Sequence, residues 1–428
     1  MPAHWAELRL KNVASIRVSN VDKKSVEGQE PVRLCNYVDV YYHDQITPDL
    51  EFMEATATTQ QIEKFALKKG DVLITKDSET PDDIAVPSFV SSDLNGVVCG
   101  YHLALIRPQA AVVEGAYLAR SLAALGVRDQ FHSSANGITR FGLSFSDISG
   151  ASVLVPPLDE QHAIAAFLDR ETARIDALVA KKQRLIELFA EKRTALISQA
   201  VTKGLNPGAP MKDSGVEWLG EIPAHWEARK FSREVHIAEG QVDPEAEPYA
   251  SMLLVAPNHI ESATGRLLAQ ETAAEQGAES GKYLCRSGEV IYSKIRPALA
   301  KVALAPEDCL CSADMYPLDG RPRFENRYLY WLLLSREFTA WSVLESDRVA
   351  MPKINRETLS ELRLPVPPLD EQRHITGYLE RETTKVDQMV EKVQEAVERI
   401  QEYRTSLITS AVTGKIDVRS FARQREDA

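Results

Sequence analysis

The residues of this chain that could do chemistry are judged first by their spacing. Cys309 and Cys311 stand one residue apart, as in half of a metal clip. A structural zinc site takes four ligands, and no second cysteine pair or nearby histidine completes this one, so buried or free thiols are the expectation. Gly277–Lys282 reads GAESGK. A phosphate-cradling loop needs four residues between its glycines and a hydroxyl residue after its lysine. Here three separate the glycines and Tyr283 follows the lysine. No DPPY- or NPPF-like stretch grips an amino group for methyl transfer; VPPL lacks the polar first residue. The nine histidines show no HExxH spacing, and there is no nucleophile elbow. The chain carries no self-contained active site.

What remains is a set of hydrogen-bond donors at the ends of short β-prone runs. Lys76 follows GDVLIT, and Ser293-Lys294-Ile295-Arg296 follows the matching GEVIY. Asn136, Thr139 and Arg140 stand before one expected final strand, and Arg348 and Lys353 stand at the corresponding place before another. The correspondence is part of a duplication. VPPLDEQ occurs at Val155–Gln161 and again at Val366–Gln372, and an ungapped alignment of Val155–Thr202 with Val366–Thr413 gives 25 identities in 48 positions. PAHW precedes each half, ending at Trp5 and Trp226, and Tyr117-Leu118 matches Tyr328-Leu329. The chain is two half-proteins, each a divergent domain followed by a near-copied segment.

Each copied segment reads as one long helix. Asp159 and Glu160, with their counterparts Asp370 and Glu371, fall in the first turn, where the helix dipole favours acids. Gly204 and Gly414 supply the stops. A 4-3 apolar register runs through Ile164, Leu168, Ile175, Leu178, Leu185, Phe189 and Leu196. In the second copy it runs through Ile375, Leu379, Val386, Met389, Val393, Ala396, Ile400, Tyr403 and Leu407. About 42 residues make a rod of roughly 60 Å, and the register predicts an antiparallel coiled coil. The alternative is two helices each packed on its own domain. The divergent halves are α+β, with a helix expected over Ala116–Leu125 in one and Arg327–Leu344 in the other, and with the Gly- and Pro-rich Thr202–Gly220 as linker.

Composition narrows the partners. Hydrophobic residues are 44% and charged residues 26% of the chain, as in soluble globular proteins. The densest apolar run, YLYWLLLS at Tyr328–Ser335, is too short to span a membrane. Five cysteines and an N-terminus without a signal layout point to a reducing cytoplasm. The net charge of −12 leaves room only for local anion-binding patches.

On these motifs the chain resembles the specificity (S) subunit of type I restriction–modification enzymes, the HsdS family. PPLDEQ opening a helix that ends in TxLIxxAVTGKID is similar to that family's conserved region, and MKDSGVEWLGEIPAHW at Met211–Trp226 to its domain entrance. The first half departs from the pattern by starting at MPAHW, without WLGEIP. The resemblance implies two α/β target recognition domains, at 1–154 and, with the linker, 207–365. Between and after them come spacer helices at 155–206 and 366–417, then a tail at 418–428. It implies a non-catalytic subunit that reads a bipartite double-stranded DNA target and docks two modification subunits, to which restriction subunits add. S-adenosylmethionine belongs to the modification subunit. The DNA-facing residues are then Lys76, Asn136, Thr139, Arg140, Lys294, Arg296, Arg348 and Lys353. Asp159, Glu160, Gln161, Asp370, Glu371 and Gln372 become the methyltransferase-docking set. Two other classes stay open at this point: a coiled-coil scaffold that binds only proteins, and a stand-alone nuclease or methyltransferase, which the missing cofactor and metal motifs count against.

Overall fold

A computed structural model describes residues 2–346 and 352–418. The two copied segments are helices of 46 residues, Leu158–Lys203, and 44 residues, Leu369–Val412. Both end in glycines in the left-handed region, Gly204 at φ +74 and Gly414 at φ +66. A side chain would be strained at either φ, and a Cβ on Gly414 would lie 2.4 Å from Pro2 and one on Gly204 a tight 3.2 Å from the Trp226 ring.

The chain divides into two compact units. One holds residues 1–182 and 395–428, the other 183–394. Each unit thus takes one divergent domain, the first half of its own long helix and the second half of the other. In the first unit Ile164, Leu168, Ile408 and Val412 share a core with Val72, Tyr117 and Phe131. In the second, Ile197, Val201, Ile375 and Leu379 share one with Trp226, Val290 and Tyr328. Both arrangements weighed on the sequence therefore contribute: the helices pack together, and each also packs on a domain. Asp176 meets Arg404 in the first unit and Arg193 meets Asp387 in the second. Within the first unit Asp176 meets Arg404 while the earlier Ile164 and Leu168 share a core with the later Ile408 and Val412, so the pairing there is antiparallel. The expected register is not buried throughout. Leu178, Leu185, Met389 and Tyr403 are exposed, while Ile175 and Val386 of the same register are buried.

The two domains share a topology that their sequences hide. In the first, five strands run in the order Ala14–Val18, Leu103–Pro108, Val72–Thr75, Pro87–Val90, Gln45–Ile46. In the second, Val235–Ile237, Met315–Gly320, Val290–Ser293 and Val302–Leu304 follow the same order. Each domain adds a three-stranded sheet with one parallel pair, Glu30–Cys35 beside Val97–Cys99 and Leu254–Val255 beside Cys309–Cys311. Val97–Cys99 and Leu103–Pro108, close in sequence, thus lie in different sheets. The single helices expected after these sheets are pairs: Gly115–Leu122 with Leu125–Ser134, and Asn326–Leu333 with Arg336–Ser346. The break is paid for by the other long helix, whose hydroxyls cap the new N-termini. Thr409 Oγ1 accepts from Leu125 N at 3.1 Å, and Ser198 Oγ from Arg336 N at 3.1 Å. The linker also holds regular structure, Met211–Asp213 pairing with Glu221–Pro223.

One ion-pair network ties the first domain to its helices. Asp44 accepts from Arg120 at 2.9 Å and from Arg404, which also holds Asp176 at 2.9 Å. Burial would raise the Asp44 carboxyl, but Arg404 and Arg120 outweigh it and hold it below the usual carboxylate range. A depressed folded-state pKa stabilises above the unfolded value and is lost as pH falls through the folded one. The stability difference between the native chain and Arg404→Met should therefore be largest near neutrality and shrink below about pH 4. Asp44 is half exposed, so screening limits that difference to about 1 kcal/mol. Urea titrations of both proteins at several pH values measure it; a difference that grows on acidification rules this network out.

Candidate nucleic-acid interface and helix junctions

Two kinds of place repeat in the two units. The first is the start of each long helix. The strand Ala6–Arg9 pairs antiparallel with Ser152–Val155, and Glu227–Lys230 pairs in the same way with Arg363–Val366. Each entering strand is preceded by a His-Trp pair that grips a helix-start glutamate. His4 Nε2 lies 2.8 Å and Trp5 Nε1 3.0 Å from the Glu160 carboxylate, and His225 and Trp226 repeat both distances on Glu371. The next residue turns inward. Gln161 is fully buried; its amide donates to Val112 O at 3.0 Å and Pro156 O at 2.7 Å, and its oxygen accepts from Glu114 N at 2.8 Å. Gln372 does the same with Arg323 O, Pro367 O and Glu325 N, each at 2.9 Å. Tyr117 Oη donates to Leu154 O at 2.8 Å and Tyr328 Oη to Val201 O at 2.9 Å. Of the six residues read as a docking set, Asp159 and Asp370 are exposed, while the glutamates and glutamines are engaged inside the fold.

The second place is the far end of each central strand. In the first domain the fully buried Val72–Thr75 emerges at Lys76, whose carbonyl accepts from Leu143 N at 2.8 Å. In the second, Val290–Ser293 emerges at Lys294, whose carbonyl accepts from Ile354 N at 2.8 Å. This bond brings the predicted donor loops together in pairs. Asn136–Arg140 is exposed beside Lys76, and Asp77-Ser78 pairs with Phe141-Gly142. Ile295 bridges to Lys353, and Arg296 N donates to Pro352 O at 2.9 Å. Gly137 is needed for the first loop, since a Cβ there would stand 1.9 Å from Arg140 O. Arg296 itself adopts φ +48, a conformation that costs a non-glycine residue about a kcal/mol or more. Arg348 lies outside the described residues.

The donors differ in availability. Lys76 Nζ lies over the Tyr101 ring at 4.4 Å and Lys294 Nζ over the Tyr316 ring at 5.2 Å. Lys76 is mostly covered, and Lys294 Nζ also donates to Ala313 O at 2.6 Å. Asn136, Thr139, Arg140, Arg296 and Lys353 are exposed. The acceptor that organises the first cluster, Asp77, carries no signal in the sequence. Asp77 takes Arg140 Nη2 at 2.7 Å, Arg140 Nε at 3.1 Å and His102 Nδ1 at 2.8 Å. A carboxylate beside a lysine in sequence is too common to single out; only its meeting with residues 25 and 63 positions away marks it.

Among the described residues no group of three or more His, Cys, Asp or Glu could hold a metal ion. All five cysteines are buried and free. Burial pushes the Cys35 and Cys99 thiols well above their ordinary value. No helix among the described residues is long and apolar enough to cross a membrane.

Residues 2–188 and 258–399 match the family described as "Type I restriction modification DNA specificity domain". The EcoDI type I restriction enzyme specificity subunit of Escherichia coli is 32% identical over 285 residues, 63% of each chain. The MjaVIII specificity subunit of Methanocaldococcus jannaschii is 23% identical over 278 residues, 62% of each chain. The match thus spans somewhat less than two thirds of the length of these two relatives. The putative MjaX specificity subunit of the same organism is 21% identical over 84% of this chain and 82% of its own. The fold is similar to a chain of the solved structure described as "Structural basis underlying complex assembly and conformational transition of the type I R-M system", with TM-score 0.71, 18% identity, and coverage of 96% and 98%. It is also similar to the HsdS subunit from Thermoanaerobacter tengcongensis, with TM-score 0.52, 18% identity, and coverage of 97% and 98%. With two domains of one topology, two long helices that pack together and a family match over well more than half of the residues, the chain belongs to the type I restriction–modification DNA specificity (HsdS) family.

Proposed function

We propose that this chain is the DNA-recognition subunit of a type I restriction–modification complex, each domain reading one half of a split duplex target. The observation that carries the reading is the repeated donor loop. In two domains of diverged sequence, one backbone bond sets an exposed loop bearing Asn136, Thr139 and Arg140, or Arg296 and Lys353, beside the end of the central strand. Arg, Lys, Asn and Thr can read base edges, and Arg and Lys also serve phosphates. Lys76 and Lys294 support these loops from behind. The copied helix starts serve a shared partner. Asp159 and Asp370 face two modification subunits, and Glu160, Gln161, Glu371 and Gln372 fix the helices that present them. Restriction subunits join that complex, S-adenosylmethionine binds the modification subunit, and this chain is non-catalytic. The buried, free thiols suit the cytoplasm.

Exchange of a domain tests this. Residues 1–154 are replaced by the first domain of another family member, and methylated sites are sequenced in cells carrying the system. One half-site should change completely and the other should stay as it was. Methylation patterns unaffected by the exchange would leave a scaffold that binds only proteins, and loss of both half-sites would remove the two-module reading.

A further inference from the structure

The acceptor beneath the first donor loop has a more specific consequence, which rests on the reading that this loop faces DNA. Arg140 is half exposed, but its guanidinium is not loose. Its inner edge, Nε and Nη2, is held on Asp77 Oδ1 at 3.1 and 2.7 Å. Asp77 is itself mostly covered, and it is fixed by His102 Nδ1 at 2.8 Å from Oδ1 and 3.0 Å from Oδ2. Lys76 Nζ lies 3.9 Å from the same carboxylate. The 3.2 Å approach of Arg140 Nη2 to His102 Nδ1 cannot be a second bond while that nitrogen donates to Asp77. Oδ1 of the carboxylate is therefore occupied inside the protein, and the mostly covered Asp77 acts on Arg140 from behind.

A guanidinium has five N–H groups in a planar fork. With Nε and one hydrogen of Nη2 directed at Asp77, the outer fork of Nη1 and Nη2 remains, and that fork matches guanine O6 and N7. We propose that Asp77, braced by His102, is a positioning residue that presents Arg140 end-on to a guanine in the half-site read by the first domain. The physical gain is preorganisation. A free arginine loses several rotatable bonds on binding, whereas this one is already ordered. The carboxylate also offsets part of the loop's positive charge, so the contact contributes discrimination between bases more than general affinity for phosphate.

The full chain, assembled with its modification subunit, is incubated with duplex DNA in which both half-sites are randomised, and bound duplexes are sequenced. Arg140→Ala should erase a guanine preference at one position of one half-site, a loss of about ten- to a hundredfold. Arg140→Lys, a point charge without the planar fork, should restore it only in part. Asp77→Ala should weaken preference at that same position, leave the second half-site alone, and add nothing to Arg140→Ala in the double variant. Asp77→Asn, which keeps the shape and guards against misfolding, should give a smaller change of the same kind. A purely structural role for Asp77 would lower binding at all positions equally and would persist in the Arg140→Ala background; either result overturns the proposal. An unchanged profile in Arg140→Ala would overturn it together with the placement of this loop on DNA, while an effect of Arg140→Ala without one of Asp77→Ala overturns the positioning role alone.

Discussion

Replacing Trp226 by alanine is expected to destabilise the second unit by about 3–5 kcal/mol, the usual cost of deleting a large buried aromatic side chain. The ring has no exposed surface, packs in the main core of its unit and stands 3.2 Å from where a Cβ on Gly204, at the stop of the first long helix, would lie. Its indole N–H also satisfies Glu371, so the variant leaves that carboxylate with His225 as its clamp partner. His225→Ala removes only a half-exposed partner and should cost less than about 1 kcal/mol. Calorimetric melts of the two variants separate packing from charge. Equal losses would mean that the ion pair, not the ring, holds the helix start.

The comparison shows what a sequence can announce about this junction. PAHW and LDEQ are visible as repeated words, and both helix starts and both glycine stops follow from local rules of dipole and handedness. Their meeting does not. Trp5 and Glu160 are 155 positions apart, and no periodic pattern encodes contacts at that separation. The same limit explains the units. A 4-3 register says that a helix has an apolar stripe, but not whether the stripe covers a helix or a domain. Ile164 and Ile375 are buried in domain cores, while Leu178 and Met389, of the same register, are exposed. The helix pair Gly115–Leu122 and Leu125–Ser134 was unreadable for a related reason, since the cap that permits its break comes from Thr409. At the candidate interface the donors were legible because they follow a strand or a glycine turn. Asp77 was not, because its role arises only where three distant segments converge.

Gln161→Leu is expected to cost about 3 kcal/mol, and Gln372→Leu as much, although neither removes a charge or leaves a large cavity. The amide makes three hydrogen bonds to main-chain groups of two segments, and leucine makes none. Val112 O, Pro156 O and Glu114 N would each lose a partner, at about 1–3 kcal/mol for every group that water cannot reach. Val112 and Glu114 are only partly buried, so water recovers some of that loss and the sum stays near the lower end. Gln161→Glu should be worse than leucine at neutral pH, because it keeps an acceptor for Glu114 N but places a carboxylate against two carbonyl oxygens with little solvent. The expectation that this residue docks a methyltransferase makes a different prediction: normal stability and weakened assembly. Urea denaturation of the isolated chain, set beside co-purification with the modification subunit, separates the two. Lower stability with assembly preserved in the fraction that folds fits a buried key that sets the helix start. An unchanged denaturation midpoint with lost assembly would return Gln161 to the docking surface, and would require the junction to open when the partner binds.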